Sequence, residues 1–85
     1  MTIPWPPAAQ TAHNPQAVAR ILKTLPEWFG REESNAEYIH AAERLETWTV
    51  AHPETHEVVG IMLIAQHYPV EAEIHLLAVD AAFHG

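Results

Sequence analysis

The side chains best suited to chemistry gather in the second half of the sequence, where His52, His56, His67 and His75 accompany Glu73. Imidazole is the commonest protein ligand for zinc and nickel, so the four histidines could in principle assemble a metal site. Their spacings match neither a finger nor a zincin pattern, and no metal is assigned. Glu73 lies in a run, Ala72 to Val79, whose residue types suit a strand. With side chains alternating between faces, it shares a face with His75 and Leu77 unless a bulge intervenes. Apolar surroundings there would disfavour the charged carboxylate and make it a better base. The plainer alternatives are a surface carboxylate at a strand start and a hydrogen-bonded histidine with no direct role. The chain has no cysteine, which removes thiolate ligands, disulfides and a cysteine nucleophile together.

These groups must be positioned by elements that the pattern of residues makes legible. Residues 1–13 hold Pro4, Pro6 and Pro7 beside Trp5, and missing backbone donors predict a loop or at most a short edge strand. Asn14-Pro15 is a helix-start signal, followed by Val18, Ile21, Leu22 and Leu25 on one helical face. A helix over Pro15 to Leu25 is predicted. Pro26 ends it, and Trp28, Phe29 and Gly30 form an aromatic turn expected to fold back on the core. Ser34 and Glu37 have capping-box spacing, predicting a second helix from Asn35 to about Leu45 with Tyr38, Ile39, Ala42 and Leu45 inward.

From Glu46 the period changes to the alternation of a half-buried strand through Ala51, and His52 to His56 is a turn around Pro53. Glu57 to Gln66 is almost continuously apolar, as expected for a strand covered on both faces. A turn over His67 to Glu71 and a third strand, Ala72 to Val79, complete an α+β arrangement of two helices and an antiparallel three-stranded meander.

At 85 residues the chain holds one domain with a small core. Eleven Asp and Glu against four Lys and Arg give a formal charge of -7, which leaves no basic patch for nucleic-acid phosphates or anionic lipid. Nucleic acid and membranes are therefore excluded as expected partners. The Trp28-Phe29 pair and Trp48 read as core residues, since a base-stacking platform needs positive charge beside it. The opening residues carry no Lys or Arg ahead of an apolar run, as a secretory signal would, and a soluble cytoplasmic protein is the expectation.

The order of elements resembles the N-terminal half of the GNAT fold of acetyl-CoA-dependent N-acetyltransferases, and at Ala72 the resemblance becomes specific. Glu73 in Ala-Glu-Ile, Leu77-Ala78-Val79, Asp80, and the exit Phe83-His84-Gly85 resemble that family's fourth strand and its continuation. The phrase Leu25-Pro26-Glu27-Trp28-Phe29-Gly30 is also similar to one in small bacterial GNAT proteins. Residues 14–85 are thus expected to be the N-terminal portion of a single GNAT-like domain, with 1–13 a proline-rich N-terminal segment.

The resemblance implies that backbone groups of Leu77, Ala78 and Val79 pair with the pantetheine arm of acetyl-CoA, and that one N–H polarises the thioester carbonyl. It implies Glu73 as the general base, with His75 a weaker catalytic candidate near it. Tyr68 and Glu71 lie close by without motif support. His84 and Gly85 would be the first two positions of an Arg/Gln-x-x-Gly-x-Gly/Ala loop that wraps the pyrophosphate with backbone N–H groups. His84 already departs from that pattern, and the remaining positions fall beyond residue 85. The implied acceptor is an amine-bearing small molecule or a protein lysine. By this reading the 85 residues alone are weakly active or inactive. Their last strand becomes an edge open to self-association or to a missing C-terminal portion, and a non-catalytic interaction module acting through that edge is the alternative function.

Overall fold

Asn14 opens the first helix by accepting the Ala17 N–H on its side-chain oxygen at 3.1 Å, with Pro15 at the first helical position. The computed structural model describes residues 5–67 and 71–84, with backbone alone for His67. In chain order these form β1 (Ala9–Thr11), α1 (Pro15–Lys23), α2 (Glu32–Ala41), β2 (Glu46–Ala51), β3 (Val58–His67) and β4 (Glu71–Val79). A 3-10 turn over Ala81–Phe83 follows. The sheet is wholly antiparallel in the order β1-β2-β3-β4, so the architecture is α+β with two helices.

The sheet has four strands where three were expected. Ala9–Thr11 lies past the proline cluster, keeps its backbone donors and pairs with Thr47 to Thr49 as a short edge strand. Both helices begin or end differently from the sequence reading. At the end of α1, Thr24 and Leu25 donate to Ile21 and Leu22 in tightened i→i−3 bonds, so regular helix stops at Lys23. Leu25 still reaches the core.

At α2 the capping box does not form. Helix begins at Glu32 behind Arg31, which supplies no side-chain cap, and Ser34 falls inside the first turn. Glu32 and Glu33 instead place negative charge at the helix start, and the Asn35 side-chain amide donates to the Phe29 carbonyl at 2.6 Å. That bond ties the aromatic turn to α2. Phe29 packs on the core, whereas Trp28 is 67% exposed, so only half of the pair folds inward.

Val18, Ile21, Leu22 and Leu25 of the α1 segment join Ala41, Ala42, Ile61, Leu63, Leu76 and Ala78 in one buried cluster. The four α1-segment side chains together contribute about 6–12 kcal/mol of gross burial, before the entropy of ordering the chain is charged against it. Ile61 pairs with Ala78 and Leu63 with Leu76, so these four occupy a single face of the β3–β4 pair. Both helices pack on that face. Strand β3 is therefore covered on one side, a correction to the expected double coverage, and Met62 and Ile64 on the other side are only half-buried.

Two glycines give opposite expectations. A Cβ on Gly30 would lie 2.6 Å from the Pro26 carbonyl oxygen, a backbone atom that cannot swing away, whereas one on Gly60 meets nothing closer than 3.7 Å. Gly30→Ala is expected to lower stability by roughly 1–3 kcal/mol, and Gly60→Ala to stay within about 0.5 kcal/mol of the parent. Urea denaturation midpoints check this; equal effects at the two sites would remove the close approach as the reason for glycine at 30.

Candidate functional site

The open side of β4 presents backbone groups in an alternation fixed by one hydrogen bond. The Asp80 N–H donates to the Val59 carbonyl at 2.8 Å, which makes Gly60 and Val79 a non-hydrogen-bonded antiparallel pair. The N–H and C=O of Val79 consequently point away from β3. Two residues back, Leu77 opposite Met62 has the same orientation, while Ala78 opposite Ile61 directs its backbone groups into the sheet. Of the three residues nominated for cofactor pairing, Leu77 and Val79 thus offer backbone groups at the edge. Ala78 contributes a buried methyl to the core.

The exit from β4 is held from several directions. Asp80 caps the 3-10 turn by accepting the Ala82 N–H at 2.9 Å, and the Ala81 N–H donates to the Thr24 hydroxyl of the α1 end at 3.0 Å. Arg20 donates to the Val58 carbonyl and pairs with Asp80 at 3.5 Å and Glu57 at 3.3 Å. The Asp80 pair is long but lies beside a carboxylate that is only 14% exposed, so solvent screens it less than the Glu57 pair. His84 Nε2 donates back to the Val79 carbonyl at 2.8 Å, and its ring lies 6.1 Å from that of Trp28. His84 therefore closes the acceptor of Val79 and leaves its N–H at the edge.

Glu73 and His75 lie at the other end of β4. Leu63 pairs with Leu76 and Ile64 with Ile74, so His75 is the extra residue of a β-bulge. The bulge overturns the expected face-sharing. Glu73, opposite Ala65, falls on the helix side, and the His75 ring meets Tyr38 of α2 edge-on at 5.5 Å, also on that side. Leu77 points to the opposite face. Glu73 is exposed, so the apolar enclosure expected around it is not supplied by these residues. Its Cα lies roughly 12 Å along the strand from that of Leu77, too far for direct contact.

His52 and His56 are placed by local structure. His52 Nδ1 accepts the N–H groups of Glu54 and Thr55 at 3.1 and 3.3 Å, and His56 adopts a left-handed φ of 64° while donating to the His52 carbonyl. Both build the β2–β3 turn. Among the described residues no group of three or more His, Cys, Asp or Glu is arranged to hold a metal ion. Gly85, Tyr68 and most of the expected 67–71 turn lie outside the described residues.

Arg20 and Thr24 belong to no sequence motif, although their i, i+4 spacing puts them on one flank of α1 beside its apolar stripe. Asp80 two residues before the amide it caps was a readable turn signal. Comparison of the chain with protein-family models, with curated proteins and with solved structures found no match.

Thr24→Val removes the acceptor of the Ala81 N–H while keeping the side-chain shape. A loss of about 0.5–1 kcal/mol is expected, with faster amide exchange at Ala81 and unchanged exchange in the middle of β3. Exchange at Ala81 as slow as in the parent would show that the α1 end does not hold the β4 exit.

Proposed function

We propose that the chain is the acetyl-donor-binding part of a GNAT-type N-acetyltransferase acting in the cytoplasm on a primary amine. The observation that supports this reading is the open edge of β4, where the Leu77 and Val79 N–H groups stand on the same side of an apolar strand whose exit is pinned by Asp80, Thr24 and Arg20. Two donors a strand repeat apart suit the amide and thioester carbonyl oxygens of an extended pantetheine arm. Acetyl-CoA, when bound, supplies the acetyl group as a thioester. It is the substrate whose carbonyl an edge N–H polarises, as an oxyanion-hole donor does.

Glu73 receives the proton that the acceptor ammonium must lose before its lone pair can form the new C–N bond, while the thioester C–S bond breaks and the CoA thiolate leaves to take a proton from solvent water. His75, held against Tyr38, is the second polar ring on that side and orients the water between Glu73 and the amine. An overall charge of -7 favours a cationic acceptor, whether a small amine or a protein lysine. Among the described residues no helix is long and apolar enough to cross a membrane.

A second reading, a non-catalytic module that pairs through the same edge, is favoured by the place of β4 at the end of the strand order. The two compete for the same backbone groups, and acetyl-CoA separates them.

Isothermal titration of acetyl-CoA into the product of the complete reading frame is expected to show one site. Turnover with an amine acceptor is expected to fall by about 10²–10⁴-fold in Glu73→Gln with little change in the KM for acetyl-CoA. Absence of binding heat would overturn the acetyltransferase reading. Binding with undiminished turnover in Glu73→Gln would remove Glu73 as the base.

A further inference from the structure

The face of the sheet opposite the helices carries a surface that neither the core nor the proposed acetyl chemistry uses. Register puts Trp48, Met62 and Leu77 in one cross-strand row on this face. Val50, Gly60 and Val79 form the next row, and Glu46, Ile64 and Ile74 the one before it. Leu77 is 62% exposed and Ile74 57%. Among the described residues Glu46 is the one charged side chain that the strand register places here. Its carboxylate accepts the Trp48 indole N–H at 2.7 Å, so Trp48 can be covered without orphaning its donor.

We infer that this face is a two-fold interface with a second copy of the same chain, sheet packed against sheet. Three properties select that occupant. The face is uncharged apart from one satisfied carboxylate at its margin, on a molecule whose formal charge is -7. Two copies meeting here keep their acidic groups apart, whereas a surface of anionic lipid is repelled and finds no Lys or Arg to hold it.

The face is also self-complementary in relief. Gly60 has no side chain, and it leaves a hollow bordered by Trp48, Val50, Met62, Leu77 and Val79. Ile74 and Leu77 stand proud beside it. A two-fold axis through the sheet sets the projections of one copy into the hollow of the other, as closed pairing of identical surfaces requires.

Area gives the third argument. The face runs the length of β3 and β4 and narrows over the six residues of β2 and three of β1, covering roughly 450 Å². Two copies then remove about 900 Å² from water, in the range of small transient interfaces, which corresponds to a weak, concentration-dependent dimer. Aligned sheet packing of this kind covers the face and leaves the β4 edge open, so the dimer and the acetyl-CoA reading stand or fall separately.

Sedimentation equilibrium without acetyl-CoA tests the inference. The mass is expected to rise from 9.5 kDa to twice that value with concentration, and added salt should strengthen association by screening two like-charged copies. Leu77→Glu at the projecting position and Met62→Glu on the interior strand β3 should each weaken association at least roughly tenfold, with far-ultraviolet circular dichroism confirming that the variants are folded.

Isotope-filtered nuclear Overhauser contacts in the mixed-label wild-type dimer should connect Trp48, Met62 and Leu77 between copies, independently of any variant. A mass of 9.5 kDa at every concentration overturns the inference. So does dissociation by Leu77→Glu with a dimer surviving in folded Met62→Glu, which would move the contact to the β4 edge. Open-ended growth beyond two copies would also contradict it.

Discussion

Ile21 and Leu22 of α1 press against the face formed by Ile61, Leu63, Leu76 and Ala78, and the orientation of β3, β4 and the β4 exit follows from that one-sided contact. In so short a chain two helices suffice to cover one face of the sheet. Covering that face fixes which residues of β3 and β4 are inward, because a one-residue slip would turn the whole apolar set to solvent. The same contact carries Arg20 and Thr24 on the flank of α1 to the exit of β4. A packing stripe thereby also positions the strand's end.

The bulge at His75 divides β4 into two parts with different duties. Beyond it, Leu76 and Ala78 belong to the core while Leu77 and Val79 turn their side chains to the bare face and their backbone groups to the edge. Before it, Glu73 and His75 lie on the helix side, with the His75 ring on Tyr38. A regular strand would have put Glu73 and Leu77 on a common face. The bulge instead separates a carboxylate at one end of β4 from edge donors at the other.

Much of this was legible from residue types. Asn14-Pro15 and the stripe from Val18 to Leu25 specify α1 because capping and amphipathic spacing agree there. The second helix begins three residues before the start that Ser34 to Glu37 predicts, because those residues match a capping box whose geometry the chain does not adopt. Asn35 is drawn instead to the Phe29 carbonyl, a contact with no local sequence signature. The short β1 falls just past a proline cluster that reads as loop or at most edge strand, and the one-sided coverage of β3 is masked by its continuous apolar run. Such a run reads the same whether its second face is buried by the chain itself or left for another partner. The alternation of edge donors on β4 was beyond the sequence, since it depends on pairing phase and on a bulge.

The phase of that alternation underlies the proposed donor site, and residue-resolved amide hydrogen exchange of the free chain measures it directly. Leu77 and Val79 amides are expected to exchange quickly while Leu76 and Ala78, bonded into β3, exchange slowly, with acetyl-CoA protecting the fast pair alone in the product of the complete reading frame. Slow exchange at Leu77 and Val79 with fast exchange at Ala78 would mean that the edge presents the opposite set of donors, and would contradict the account.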